Sequence, residues 1–250
     1  MVKKVTRAKK IKSTDFDENE IRTRNADYHT STNVHRMPTS HQQQRDFVFD
    51  TVTESQNRYL NSIKANTITF GTGCAGTGKS YVALMYAAQL LKNRKVSKVI
   101  ITRPAVECGE KFGFLPGELE EKYDEYLTPM KAILYKALGH SHTELLFKNK
   151  IIEARPLAFM RGSTFEDSVV ILDEAQNVTP QQMKMFLTRI GENSKVIING
   201  DIAQADIRGE TGLYDAVKRL REVRSVGVVE FTIEDIVRSG IVKDILIAYQ

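Results

Sequence analysis

The sequence predicts an α/β protein in which helices sandwich a mostly parallel β-sheet. Two observations support this fold class: short apolar, β-branched runs recur along the chain, and segments of helical periodicity separate them. The predicted strands are 67–71, 98–102, 151–155, 169–173, 195–199 and 226–231. The predicted helices are 79–93, 117–138, 179–190, 212–222 and 232–249. Strands this short and apolar are typical of a sheet that is buried on both faces.

Composition places the chain among ordinary globular proteins, with 250 residues of which 41% are hydrophobic and 27% charged. Its two cysteines, Cys74 and Cys108, offer no disulfide framework, which fits a reducing compartment. No apolar run approaches the ~20 residues of a membrane span, and the basic start has no apolar signal core after it. We therefore expect a cytoplasmic protein without membrane contact.

The first segment in chain order is a polar, basic arm, residues 1–42, which we predict to be disordered. The folded domain is predicted to span 43–250, because helical periodicity begins near residue 43. Residues 1–45 hold ten Lys or Arg and five Asp or Glu, so they account for the whole formal net charge of +5. Such an arm can bind nucleic-acid phosphates, or it can be a solvated tail that aids solubility; both interpretations stay open.

The first strand runs into a glycine-rich turn, TITFGTGCAGTGKS over 67–80, which fits the phosphate-loop pattern G-x-x-x-x-G-K-[ST]. Lys79 is expected to reach the β- and γ-phosphates of a nucleotide, and the Ser80 hydroxyl to bind Mg²⁺. The alternative is a glycine-rich turn with an unrelated lysine, but the strand before it and the helix after it favour a nucleotide site. The predicted binding residues are Gly73, Cys74, Ala75, Gly76, Thr77, Gly78, Lys79 and Ser80.

A second motif, VVILDEAQN over 169–177, places two acidic residues where a buried strand ends. Ligands bind at the carboxyl ends of strands in open α/β sheets, so Asp173 is placed to hold Mg²⁺ beside Ser80. The carboxylate of Glu174 can orient and deprotonate a water for attack on the γ-phosphate. The alternative is an Asp that caps a helix, followed by a first-turn Glu.

A third motif, KVIINGDIAQ over 195–204, ends another apolar strand in Gly200-Asp201, with Gln204 three residues further on. If this strand lies beside 169–173, the Gln204 side chain can reach the γ-phosphate and report its presence to the rest of the protein. The pattern is weak alone and informative after the two preceding motifs.

Together these motifs resemble the PhoH-like proteins, which are P-loop ATPases related to the N-terminal lobe of superfamily 1 helicases. The resemblance covers residues 55–250 and includes GTGCAGTGKSYVAL, ITRPAVECGEKFGFLPGELEEK, FMRGSTFEDSVVILDEAQNVTPQQMKMFLTRIG, SKVIINGDIAQADI and FTIEDIVRSGIVKDILIAY. It implies a RecA-like P-loop NTPase fold, ATP and Mg²⁺ as cofactors, and helicase-like ATP hydrolysis. The length and the N-terminal arm favour a phage-encoded member.

The resemblance further implies a glutamine upstream of the phosphate loop that reads the adenine edge. Gln56 occupies that position, while 42–44 hold three competing glutamines, and an exposed helix glutamine is the alternative. The chain departs from the family pattern at Cys74, where proline is usual, and at Ser80, where threonine is frequent. Asn199 replaces a commoner small residue or threonine, with no evident mechanistic cost.

Helicases of superfamily 1 complete the ATP site with arginines from a second lobe, which we do not expect in a chain of this length. A neighbouring copy could supply the arginine instead, which predicts a head-to-tail ring, usually a hexamer in related proteins. The candidate fingers are Arg189 and Arg238, with Arg103 and Arg161 as candidates within the same chain or along a nucleic-acid path. In the loop 103–122, two phenylalanines (112 and 114) could stack on bases or pack on the sheet.

The expected function is a Mg²⁺-dependent ATPase that remodels RNA or single-stranded DNA as a ring. One alternative is an ATPase subunit that drives a protein partner without binding nucleic acid itself. Glu174 and the third motif count against a phosphotransferase. A nuclease has no metal cluster in its favour, since His140 and His142 stand apart from the other histidines and are predicted to be turn residues.

Overall fold

We analysed a computed structural model, which describes residues 49–104, 127–207 and 209–248. Its centre is a six-stranded parallel sheet with the order β3-β2-β4-β5-β1-β6. The strands are β1 (Ile68–Gly73), β2 (Lys98–Arg103), β3 (Ile152–Pro156), β4 (Ser168–Leu172), β5 (Lys195–Gly200) and β6 (Val226–Phe231). The predicted α/β fold with a parallel sheet is therefore confirmed, with every predicted strand within two residues of its observed bounds.

Helices flank the sheet along the described residues. They are α1 (Glu54–Ala65), α2 (Lys79–Lys92), α3 (Thr128–Leu138), α4 (His140–Lys148), α5 (Pro180–Leu187), α6 (Gly212–Leu220) and α7 (Gly240–Ala248). Within the described ranges, short 3-10 turns lie at Leu157–Met160, Ala175–Asn177, Ile202–Gln204 and Ile233–Asp235. Two of these turns directly follow the carboxyl ends of β4 and β5, where the second and third motifs lie.

Two hydrophobic cores cover the two faces of the sheet, because successive side chains of a strand point to opposite faces. In β4, Val169 and Ile171 belong to the core that packs against α1 to α4. Val170 and Leu172 belong to the core on the other face, which includes Phe186 of α5 and residues of α6. All five residues of β4 are buried, which explains why its sequence reads as a continuous apolar run.

The structure corrects one local prediction. His140 and His142 were expected in a turn between secondary-structure elements, but both are helical and lie at the start of α4. Gly139 has a φ of +84°, so α3 ends there and α4 begins at the next residue, without a loop. The His140 ring stacks on Tyr135 with 4.3 Å between centroids, which gives it a packing role.

Several predictions lie outside the described residues. They concern the N-terminal arm 1–42, the glutamines 42–44, Cys108 and the two phenylalanines of the loop 103–122. Within the described part of the chain, none of the helices is long and apolar enough to cross a membrane.

Candidate nucleotide-binding site

The phosphate loop, residues 73–80, joins β1 to α2 through three glycines with left-handed backbone. Gly73, Gly76 and Gly78 have φ values of +104°, +79° and +85°. A Cβ added to Gly73 would lie 1.9 Å from the carbonyl oxygen of Phe231, its register partner at the end of β6. Only glycine fits there, because both the dihedral angle and the approach of β6 exclude a side chain.

Lys79 is buried at the start of α2, and its ammonium group donates hydrogen bonds of 2.6 Å to the carbonyl oxygens of Gly73 and Cys74. Burial lowers the pKa of Lys79, while the carboxylates of Asp201 and Asp173 act in the opposite direction. The cation is thus placed at the centre of the loop, where a phosphate group would lie in a site of this type.

The acidic rim, formed by Asp173, Glu174 and Asp201, lies at the carboxyl ends of β4 and β5. The Ser80 hydroxyl donates to one carboxylate oxygen of Asp173 at 2.7 Å. Arg103, at the end of β2, donates to the other oxygen through Nη2 at 2.7 Å and Nε at 3.2 Å. A buried carboxylate next to a hydroxyl is a ligand set suited to Mg²⁺, so Ser80 and Asp173 fit the predicted metal role.

Glu174 stands next to Asp173 with a φ of +55°, a conformation that is uncommon for a residue with a side chain. Its carboxylate is half exposed and lies 3.6 Å from Arg103 Nη2. Gln176 holds the second carboxylate oxygen by a hydrogen bond of 2.7 Å from Nε2. Glu174 thus lines the cavity that is described below.

Gln176 also connects the second and third motifs. Its Oε1 accepts a hydrogen bond of 3.1 Å from the backbone N–H of Asp201, while its Nε2 binds Glu174. The motif VVILDEAQN contains this glutamine, but its role depends on the pairing of β4 with β5 and could not be found from spacing alone.

The phosphate loop and the acidic rim line one cavity of about 280 Å³. Gln204 lines it as well and is exposed, as the predicted reporter of the γ-phosphate would have to be. The predicted residues on its wall are Ala75, Gly76, Gly78, Lys79, Ser80, Asp173, Glu174, Gln204 and Arg238, joined by Arg103 and Asn199. The three motifs thus meet at one place.

Gln56 does not line this cavity. Its Nε2 donates to the Thr77 carbonyl at 3.0 Å and its Oε1 accepts from the Val52 N–H at 2.8 Å, so both ends of the buried amide are engaged. The side chain therefore supports the phosphate loop from behind. Reading an adenine edge would require it to exchange both partners, which runs against the expected role.

The two candidate fingers differ in position. Arg238 lies over its own phosphate loop, since a Cβ on Gly76 would come 3.1 Å from its Nε. Its role as a finger for a neighbouring copy stays a prediction. Arg189 follows α5 and lies away from the cavity; its Nε is buried and has no hydrogen-bond partner among the described residues. Arg189 therefore does not line its own cavity, and its role as a finger stays a prediction.

A glycine-rich loop between a parallel strand and a helix shares a cavity with carboxylates at the ends of β4 and β5. This arrangement defines a P-loop nucleotide-binding protein. Among solved structures, the SWI2/SNF2 ATPase core of Sulfolobus solfataricus in complex with dsDNA aligns with a TM-score of 0.41 and 14% identity, over 62% of this chain and 33% of that one. The family model of the PhoH-like protein matches residues 49–250. The chain belongs to the PhoH-like family.

Relatives with this family name are found in distant bacteria. The PhoH-like protein of Bacillus subtilis is 50% identical over 199 residues, which cover 79% of this chain and 62% of the relative. Protein PhoH of Escherichia coli K12 is 47% identical over 200 residues, covering 78% of this chain and 56% of the relative. The chain thus spans little more than half the length of these relatives.

Proposed function

We propose that this protein is a Mg²⁺-dependent ATPase. The observation that carries the proposal is the position of Glu174: a half-exposed carboxylate, next to the buried Asp173, on the wall of the cavity that the phosphate loop opens into. A carboxylate held beside a phosphate site can accept the proton of an attacking water. A protein that only binds nucleotides has no need of this second, exposed acid.

Each residue has a part in this reaction. Lys79 and the loop N–H groups bind the β- and γ-phosphates, and Ser80 with Asp173 holds Mg²⁺, which neutralises charge on the phosphates when bound. Glu174 takes the proton from the water, and Gln176 keeps its carboxylate in place. Arg103 and Arg238 bring positive charge to the cavity from the same chain.

We propose further that hydrolysis is coupled to the remodelling of RNA or single-stranded DNA in a head-to-tail ring, in which a neighbouring copy supplies an arginine to the ATP site. The basic N-terminal arm supports nucleic-acid binding. The position of Arg189 outside its own cavity supports a contribution to a neighbouring site.

The alternative, an ATPase that drives a protein partner, has one observation in its favour. The C-terminal segment exposes apolar side chains, with Ile241, Ile245 and Ile247 at least 49% exposed. Such a surface is typical of a protein contact, whether with another copy or with a different chain.

Steady-state ATP hydrolysis, with and without single-stranded RNA or DNA, tests these proposals. We expect Mg²⁺-dependent turnover that nucleic acid stimulates, no nucleotide binding in Lys79→Ala, and ATP binding with little turnover in Glu174→Gln. Parental turnover in Glu174→Gln would contradict the catalytic assignment. A basal rate indifferent to nucleic acid would favour the protein partner, and a monomer by light scattering with ATP and Mg²⁺ would refute the ring.

A further inference from the structure

Asn199 is a buried polar residue on the wall of the cavity for which the three motifs provide no role. It lies near the end of β5, between the strands that carry the phosphate loop and Asp173, and is 1% exposed. Its Nδ2 is buried and has no hydrogen-bond partner among the described residues. Leaving such a donor unpaired costs about 1–3 kcal/mol, and most buried polar groups have a partner.

The other end of the same amide is held firmly. The Tyr59 hydroxyl of α1 donates a hydrogen bond to Asn199 Oδ1. Tyr59 is fully buried, and its ring packs edge-on against Phe231 with 5.4 Å between centroids. Burial, and secondarily the charge of Asp173, raises the pKa of Tyr59 well above its ordinary value, so the hydroxyl keeps its proton and remains a donor.

The sequence makes room for this contact at Gly71, which pairs with Asn199 across β1 and β5. A Cβ at Gly71 would come 2.8 Å from the Tyr59 ring. Because Gly71 has no side chain, Tyr59 of α1 can reach across β1 to Asn199 on β5. With Oδ1 bound to Tyr59, the donor end of the amide is left without a partner among the described residues, in a side chain on the cavity wall.

The surroundings indicate what this donor would bind. The wall of the cavity that Asn199 lines includes Lys79 with the phosphate loop and the three acidic residues of the rim. The Asp173 carboxylate is engaged by Ser80 and Arg103, and that of Glu174 by Gln176. One carboxylate oxygen of Asp201 accepts a hydrogen bond from the Ala203 N–H. An oxygen of a ligand phosphate is the kind of acceptor that satisfies a neutral amide N–H in such a cavity.

We propose that Asn199 is a further catalytic residue, whose Nδ2 donates a hydrogen bond to the terminal phosphate of ATP, and that Tyr59 is its positioning residue. The proposal rests on the proposed function, since it names a contact within the same ATP site. A donor that contacts the terminal phosphate distinguishes ATP from ADP, and it stabilises charge that develops on that phosphate during hydrolysis.

The test compares Asn199→Ala with Asn199→Thr, which restores a donor, and with Tyr59→Phe, which removes only the hydroxyl. We measure kcat for ATP, the Kd values of ADP and of a non-hydrolysable ATP analogue, and the midpoint of thermal unfolding. In Asn199→Ala, kcat should fall about 10- to 100-fold and the analogue should bind correspondingly more weakly, while ADP affinity stays within about twofold. Asn199→Thr should recover part of the loss, and Tyr59→Phe should show a smaller loss of the same kind.

Equal weakening of ADP and the ATP analogue would overturn the proposal, because a merely structural role affects both ligands alike. Parental kcat in Asn199→Ala would overturn it too. If Asn199→Ala does not fold, the proposal is tested with Asn199→Thr and Tyr59→Phe. The measured quantity is again the Kd of the ATP analogue relative to that of ADP. A parent chain without ATP turnover would refute the proposed function, whereas the comparison of ADP with the ATP analogue would still test the contact of Asn199.

Discussion

The phosphate loop and the acidic rim face the same cavity but keep their shapes by different means. In the loop, the backbone itself is decisive: three glycines adopt positive φ, and Lys79 donates to loop carbonyl oxygens. In the rim, other side chains hold two of the carboxylates, with Arg103 of β2 on Asp173 and Gln176 of the same motif on Glu174. The loop therefore tolerates no added atoms, while the rim is sensitive to the loss of a partner.

This difference separates two kinds of variant. A change in the loop acts on the fold around β1 and on the binding of any nucleotide, because ADP and ATP share the same phosphate contacts there. A change in the rim acts on a buried charge or on the position of Glu174, so it affects stability or turnover and leaves the loop intact.

The largest effect is expected for Gly73→Ala. The added Cβ would meet the Phe231 carbonyl oxygen at 1.9 Å, in a residue with a φ of +104°. The clash and the backbone strain together should lower the free energy of unfolding by about 3 kcal/mol and abolish nucleotide binding. Urea denaturation and titration with ADP measure both effects.

Gly162→Ala is the matched control, since Gly162 has a φ of +87° but nothing within 4 Å of an added Cβ. It should cost only the backbone strain of about 1 kcal/mol and leave nucleotide binding intact. Equal losses in the two variants would show that the approach of β6 is not what makes the loop intolerant.

The next effect concerns a partner in the rim. Arg103→Ala leaves the buried carboxylate of Asp173 without its cation, which should lower the free energy of unfolding by about 3 kcal/mol. Mg²⁺ with ATP should then raise the thermal midpoint more in the variant than in the parent, since the metal supplies the missing positive charge. Thermal unfolding with and without both ligands measures this.

Arg219→Ala provides the comparison for Arg103→Ala. Arg219 pairs with Asp215 on the surface of α6 and is 72% exposed, so its loss should leave the midpoint unchanged. If both variants unfolded alike, the burial of Asp173 would not be the cause of the effect.

A smaller effect is expected for Gln176→Ala, which removes the hydrogen bonds to Glu174 and to the Asp201 N–H. Each such bond contributes about 1 kcal/mol, so kcat should fall about fivefold while KM stays the same. Gln181→Ala, on the exposed face of α5, is the control and should keep the parental kcat. A rise in KM without a change in kcat would contradict a positioning role for Gln176.

The features of the phosphate loop and of the acidic rim differ in how far they could be predicted from the sequence. The phosphate loop, the strand bounds and the placement of Asp173 and Glu174 follow from local patterns, because apolar runs and glycine spacing are properties of neighbouring residues. The parallel sheet and the meeting of three motifs at one cavity followed from the same patterns together with the rule for strand ends.

The remaining contacts join residues that are far apart in the chain. Arg103 and Asp173 are 70 positions apart, and Tyr59 and Asn199 are 140 apart. Strand order and register decide which of several arginines meets the carboxylate and which of several tyrosines meets the amide. No short sequence pattern encodes either of them. For the same reason the sequence could not reveal that Gln56 lies behind the loop or that Arg238 lies over its own site.

The smallest expected effect concerns the pKa of Cys74 in the phosphate loop, which depends on the charge of Asp201 in the acidic rim. Burial, and then the carboxylate of Asp201, raises the pKa of this thiol, although Lys79 partly opposes the shift. A raised pKa means less thiolate at a given pH, so iodoacetamide should modify Cys74 more slowly than a free thiol at pH 8, and the rate should rise at higher pH than for a free thiol. Mass spectrometry in a Cys108→Ser background measures this profile.

Asp201→Asn sharpens the test, because it removes the carboxylate and leaves the burial of Cys74 in place. Its profile should move part of the way toward that of a free thiol, since the charge is the second cause of the shift and burial is the first. A profile that does not move would mean that the acidic rim exerts no field on the phosphate loop. Then the two regions would share a cavity without acting on each other, and the raised pKa of Cys74 would be due to burial and to the charge of Asp235.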